Sequence, residues 1–148
     1  MLGKILLTLD AVALLLGAPL ADYNHTHIFN PRWPPHAKFH AGQTITLSLI
    51  LSLATLYYTW RSSFSDRSTP TPLVAQFRRR AEEDSLRTAA FLGSIYWLAG
   101  LLAVLYPGAE GIDPEFGTGF PQGPGFAVGA MAAVLGWALE RKGGSALM

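Results

Sequence analysis

The sequence predicts an all-α integral membrane protein, a four-helix bundle with its N and C termini in the cytoplasm. Three observations predict it. Half of the 148 residues are hydrophobic and only 14% are charged, where a soluble domain carries about 25% charged residues. The apolar residues gather into four runs, about 5–21, 41–60, 89–106 and 125–139. The basic residues are divided very unequally among the segments between those runs. A chain of this length fits one domain, 1–148. It is too short to wrap four fully buried helices in a polar shell.

A bilayer core of about 30 Å needs roughly 20 helical residues, with a working range of about 17 to 25. The first run, Ile5 to Ala21, is interrupted only by Thr8 and Asp10 and sits at the lower limit. Lys4, the apolar stretch and GAPLA also resemble a cleaved signal peptide. Asp10 inside the run, and Pro19 three residues before a cut after Ala21, argue against cleavage. An intramembrane carboxylate is a functional candidate by default. At 1.5 Å per residue Asp10 lies roughly 18 Å from Asp22, in the cytoplasmic half, where pairing with Arg61 or Arg141 is the expected structural role.

The second and third runs, Ala41 to Trp60 and Ala89 to Tyr106, carry no charge and fit the bilayer directly. The fourth, Gly125 to Leu139, is short and must borrow flanking residues such as Phe120 or thin the membrane. Gly125, Gly129 and Ala133, four apart, form a small-residue seam for close helix contact.

Orientation follows from charge. Lys4, Arg61, Arg67, Arg78, Arg79, Arg80, Arg87, Arg141 and Lys142 lie in the N-terminus, the second loop and the C-terminus. Only Arg32 and Lys38 lie in the first loop, and the third has no basic residue. By the positive-inside rule the termini and the loop from Arg61 to Thr88 are cytoplasmic. The first loop and the Gly/Pro-rich loop from Pro107 to Pro124 then share the opposite face. Within the cytoplasmic loop, QFRRRAEEDSLR reads as a short surface helix, a solvated linker after the STPTP spacer. Contact with anionic lipid headgroups is its other reading.

Composition also narrows function. A formal charge of +1 and the lack of an aromatic-plus-basic strip point away from nucleic acid. The absence of cysteine excludes disulfides, thiolate ligands and a cysteine nucleophile.

All four histidines fall in HTHIFNPRWPPHAKFH, residues 25–40. Proline is favoured in the first helical turn, so the second helix starts at Pro34 or Pro35. His36 and His40 then share a face, continued inward by Gln43 and Thr44. A polar stripe on a transmembrane helix is expected to face other helices or a cavity. Upstream lie Asp22, His25 and His27; the two histidines share a face only if that segment is extended. The third loop adds Glu110, Asp113 and Glu115. Histidines and carboxylates are thus expected to converge on one face.

Three readings compete for the cluster. It can be an interfacial cap in which Trp33 anchors at the headgroups and polar side chains satisfy a proline-rich loop. It can be a zinc site, although no HExxH is present and the spacing is unspecific. It can be an acid–base site acting on a lipophilic substrate that enters from the membrane. The last is preferred. The sequon Asn24-His25-Thr26 lies very near the end of the first span, which argues against its modification. Met and aromatic residues inside the spans are read as packing.

The run ADYNHTHIFNPRWPPHAKFH resembles a family of small four-helix integral membrane proteins of fungi and bacteria. Its signature is roughly Asp-x-Asn-x-Thr-His, then Asn-Pro-x-Trp-Pro-Pro-His and a further His at helical spacing. Asp22, Asn24, Thr26, His27, Asn30, Pro31, Trp33, Pro34, Pro35, His36 and His40 match it, and His25 falls at a variable position. The resemblance implies a four-helix fold with its site at the first loop; it names no reaction. By analogy, small fungal membrane proteins include isomerases, cyclases and epoxide-opening enzymes of natural-product biosynthesis.

The expected function is therefore an acid–base enzyme acting on a lipophilic small molecule, in the membrane of the endoplasmic reticulum. The expected catalytic residues are His36 and His40, with Asp22, His27, Asp113 and Glu115. Asn24, Asn30, Arg32, Trp33 and Gln43 are expected to contact substrate. Such chemistry needs no cofactor and no metal. The expected partners are the substrate and membrane lipid, with homo-oligomerisation left open. The alternative is a non-catalytic protein that binds a lipid or assists a partner, or a histidine metal site.

Overall fold

The computed structural model describes residues 1–64 and 71–145; Arg67, among the basic residues counted above, lies outside them. Four antiparallel helices form a bundle: α1 (Leu2–Asp22), α2 (Pro35–Trp60), α3 (Pro72–Ala103) and α4 (Gly123–Ser145). A single 3₁₀ turn, Arg61–Phe64, extends α2. α1 packs on α2 and α4, α3 packs on the same two, and α1 meets α3 across the diagonal. All four are long and apolar enough to cross a membrane.

The helix ends follow from local chemistry. Pro34 is extended and Pro35 opens α2, as the diproline predicts. The Thr71 hydroxyl caps α3 by accepting from the Val74 N–H at 3.5 Å. From there α3 runs unbroken through the arginines for 32 residues, about 48 Å at 1.5 Å per residue. The basic segment is thus the first part of the third spanning helix rather than a separate surface helix. α4 covers 23 residues, about 34 Å, because helix continues past Leu139 through Glu140. Within it, Gly123–Arg141 is long and apolar enough to cross a membrane.

The outer surface of the bundle is rich in large apolar side chains, and its interior mixes leucine and alanine with small polar residues. Leu9, Leu16, Ile50, Leu53, Leu98, Leu102, Val134 and Leu135 are exposed, as lipid contact requires. Leu7, Ala11, Leu14 and Ala18 make a buried stripe on α1. On α2 the buried stripe is Ser48, Ser52, Thr55 and Thr59 with Leu51. Without water to satisfy them, such hydroxyls turn to backbone carbonyls. Ser52 donates across to the Ala11 carbonyl at 2.7 Å, and Thr59 back to the Thr55 carbonyl at 2.7 Å.

The small-residue seam on α4 forms in a shifted register. A Cβ on Gly129 would fall 2.5 Å from the Trp97 ring and one on Gly136 2.8 Å from Leu7, whereas Gly125 faces open space. Asp10 is fully enclosed, yet its partner is Trp97 on α3, whose Nε1 donates at 2.7 Å. The pairing expected with Arg61 or Arg141 is replaced. The Arg61 Nε instead donates to Ser85 Oγ at 2.6 Å, and Arg141 lies over the Trp137 ring. Both arginines lie near the helix ends, and the indole donor is at the depth of the carboxylate.

Candidate functional site

The first and third loops lie at the same end of the bundle and are stitched together. The first loop leaves α1 through a carboxamide. Asn24 Nδ2 donates to the carbonyls of Leu20 at 3.3 Å and Ala21 at 2.7 Å, two acceptors that the helix end leaves open. Its Oδ1 accepts from the Thr26 N–H at 2.8 Å and from the Thr26 hydroxyl at 2.6 Å. The amide nitrogen of the sequon is therefore committed to capping the helix.

Successive turns follow, with the Phe29 N–H donating to the Asn24 carbonyl at 2.9 Å and the Asn30 N–H to the His27 carbonyl at 3.0 Å. The segment is neither extended nor helical, and its two histidines take different partners. The His25 ring meets Phe116 edge-on with centroids 6.4 Å apart. The His27 ring meets Trp33 at 4.8 Å. His27 Nδ1 lies 2.7 Å from Thr26 Oγ1, and Nε2 lies 3.6 Å from Asp22 Oδ1. Asp22 is further enclosed than His27. An imidazole held between a hydroxyl and a carboxylate can accept or deliver a proton with its counter-ion in place.

The third loop reaches this assembly through Asp113 and Glu115. Trp33 Nε1 donates to Asp113 Oδ2 at 3.0 Å. Asn30 is buried at 2% exposure; its Nδ2 donates to Glu115 Oε1 at 3.0 Å and its Oδ1 accepts from the Arg32 N–H at 2.9 Å. The Arg32 guanidinium pairs with Glu115 as well. Trp33 therefore joins the His27 ring to the third loop. Glu110 lies apart from this, lining an open depression of about 440 Å³ with Val104, Thr118 and Phe120, in which no histidine takes part.

His36 and His40 form a second, separate pair. Their Nε2 atoms are 3.0 Å apart and His40 Nδ1 is 3.2 Å from Gln43 Oε1. All three side chains are exposed, and Phe39 stacks on His36. The expected inward stripe is thus on the outer side of α2. Helical geometry gives the reason. The Ser48, Ser52, Thr55, Thr59 face turns inward, and at 100° per residue positions 36, 40 and 43 lie roughly 120° around from it. Among the described residues no three His, Asp or Glu side chains gather as a metal-binding group.

The family of unknown function DUF6640 has a model that matches residues 6–146. The chain belongs to this family. No curated protein and no solved structure matches it. In this DUF6640 chain one site residue carried no expected functional role, Thr26. Thr26 stands between Asn24 and His27 in the sequence, and a hydroxyl beside a histidine was the available clue.

Proposed function

We propose that this DUF6640 chain is a membrane-embedded acid–base enzyme acting on a lipophilic small molecule, with His27 as its proton carrier and Asp22 as counter-ion. The observation that carries this reading is the grip on one imidazole by Thr26, Asp22 and Trp33 at the mouth of an apolar bundle. Isomerisation, cyclisation and epoxide opening all require a proton taken from one atom and returned to another. One histidine can do both without a cofactor. The reading moves the principal role from His36 and His40 to His27. It assigns to Asn30, Arg32, Trp33, Asp113 and Glu115 the fixing of the loop around that ring. His36, His40 and Gln43 remain an outer polar rim that a substrate passes on entry. Loops one and three face the lumen of the endoplasmic reticulum in this reading, which rests on the charge asymmetry of the chain.

A second reading, a non-catalytic cap, draws support from the same loop contacts, since Asn30, Arg32 and Trp33 are all engaged between loops. Lipid extracts of a deletion strain complemented with each variant separate the two. His27→Gln and Asp22→Asn should accumulate the substrate, lowering product by roughly 10²-fold at normal levels of inserted protein. His36→Gln and His40→Gln should retain most of it. Full product from His27→Gln would leave the cap.

A further inference from the structure

We infer that the hydrogen-bond chain Asn24–Thr26–His27 holds neutral His27 with its proton on Nδ1, so that Nε2, facing Asp22, is the basic nitrogen. The inference deepens the acid–base reading and rests on it for its functional meaning. Its direction is set at one end by backbone carbonyls, which can only accept. Leu20 and Ala21 present their carbonyls to the Asn24 side chain, so the atom toward them is the amide nitrogen. Oδ1 therefore faces Thr26, where the Thr26 N–H at 2.8 Å confirms it as acceptor.

The Thr26 hydroxyl is 2.6 Å from that same Oδ1. Of the two oxygens only the hydroxyl has a hydrogen, so it must donate to Asn24. A hydroxyl has one hydrogen. With it committed, Thr26 Oγ1 can only accept from His27 Nδ1, 2.7 Å away. Nδ1 then bears the proton in the neutral ring, and Nε2 offers a lone pair. When Nε2 takes a proton, the positive charge forms 3.6 Å from Asp22 Oδ1. Charge appears where a carboxylate already waits.

The same chain excludes Thr26 as a nucleophile activated by His27. That role needs the hydroxyl proton directed at Nδ1, and Asn24 takes it. Asn24 and Thr26 are positioning residues, acting through His27. An imidazole base oriented by a hydrogen bond to its other nitrogen is a general device. Here the orienting partner is a hydroxyl whose own direction is set by the C-terminal carbonyls of α1.

The tautomer is directly observable. Full-length chain with ¹⁵N-labelled histidine, in lipid nanodiscs at about pH 9, well above the ordinary imidazole value, gives ring nitrogen shifts. His27→Gln identifies the His27 signals. We expect a protonated Nδ1 and a bare Nε2 in the wild type, retained in Thr26→Ser. In Thr26→Val the proton should move to Nε2, where Asp22 accepts it. A wild-type ring protonated on Nε2 overturns the inference, and needs no variant to fold. An unchanged ring in Thr26→Val overturns the positioning role. The spectrum is independent of product formation. An Nδ1 proton with full product from His27→Gln keeps the tautomer and removes the acid–base reading, and an Nε2 proton with lost product does the reverse.

Discussion

Trp97 donates its indole N–H to Asp10 at 2.7 Å in the interior of the bundle, joining α3 to α1 where no water reaches. The second carboxylate oxygen of Asp10 makes no hydrogen bond. It occupies the space that Gly93 leaves, since a Cβ there would fall 2.3 Å from Oδ2. The Trp97 ring itself rests on Gly129 of α4. One indole thus ties three helices, and an unpaired interior donor or acceptor costs about 1 to 3 kcal/mol.

Trp97→Phe should keep the aromatic filling and strip the donor. The expected loss is about 1 to 3 kcal/mol of stability. Asp10→Asn, which retains an acceptor for the indole, should cost less than Trp97→Phe. Gly93→Ala should be at least as damaging, because the methyl group and Oδ2 compete for one place. Unfolding of the detergent-solubilised chain by dodecyl sulfate measures all three. Wild-type behaviour from Trp97→Phe would show that the interior bond contributes nothing.

Asn30 clamps the two loops of the site, and its substitutions should rank by charge. Asn30→Ala removes both bonds and should cost about 1 to 3 kcal/mol. Asn30→Asp should be worse, since it sets a second carboxylate against Glu115 in place of a donor. Arg32 supplies a trypsin site within the loop, so the rate of nicking there reports undocking. If Asn30→Asp is nicked more slowly than Asn30→Ala, the Asn30–Glu115 bond does not hold the loops.

Glu83 on α3 and Thr118 in the third loop are both exposed, at opposite ends of the bundle. With no native cysteine in the chain, Glu83→Cys and Thr118→Cys can each be labelled without background. A membrane-impermeant maleimide should reach the first from the cytoplasm only and the second only from the other side. Labelling of both from one side would refute the orientation.

His36 and His40 supply two imidazoles, and a structural zinc site takes four ligands. Protein purified without added metal should therefore hold well under one equivalent of zinc, copper or nickel by mass spectrometry. A stoichiometric metal that vanishes from the His36→Gln/His40→Gln double variant would instead make that outer pair a metal site.

The spanning helices could be read from the sequence because each depends on local chemistry. Uncharged runs of bilayer length predict helices wherever they occur, and Pro34-Pro35 marks the start of α2 by the geometry of its own ring. The carboxamide, histidine and tryptophan of the first loop stood out for the same reason, as polar groups crowded between apolar runs. Which helix face turns inward is another matter. His36, His40 and Gln43 make as good a polar stripe as Ser48, Ser52, Thr55 and Thr59. Only packing against α1 and α3 selects the second, because short hydroxyl side chains let backbones approach and find a carbonyl such as that of Ala11.

The sequence by itself determined the four apolar spans, the side-to-side imbalance of charge, and the set of residues from which a site can be made. The tertiary structure decided which of them meet. Asn30 finds Glu115 across 85 positions and Trp33 finds Asp113 across 80, contacts that no periodicity encodes. They exist because antiparallel helices bring the first and third loops to one end of the bundle. There, the buried Asn30 carboxamide must find a partner or remain unpaired.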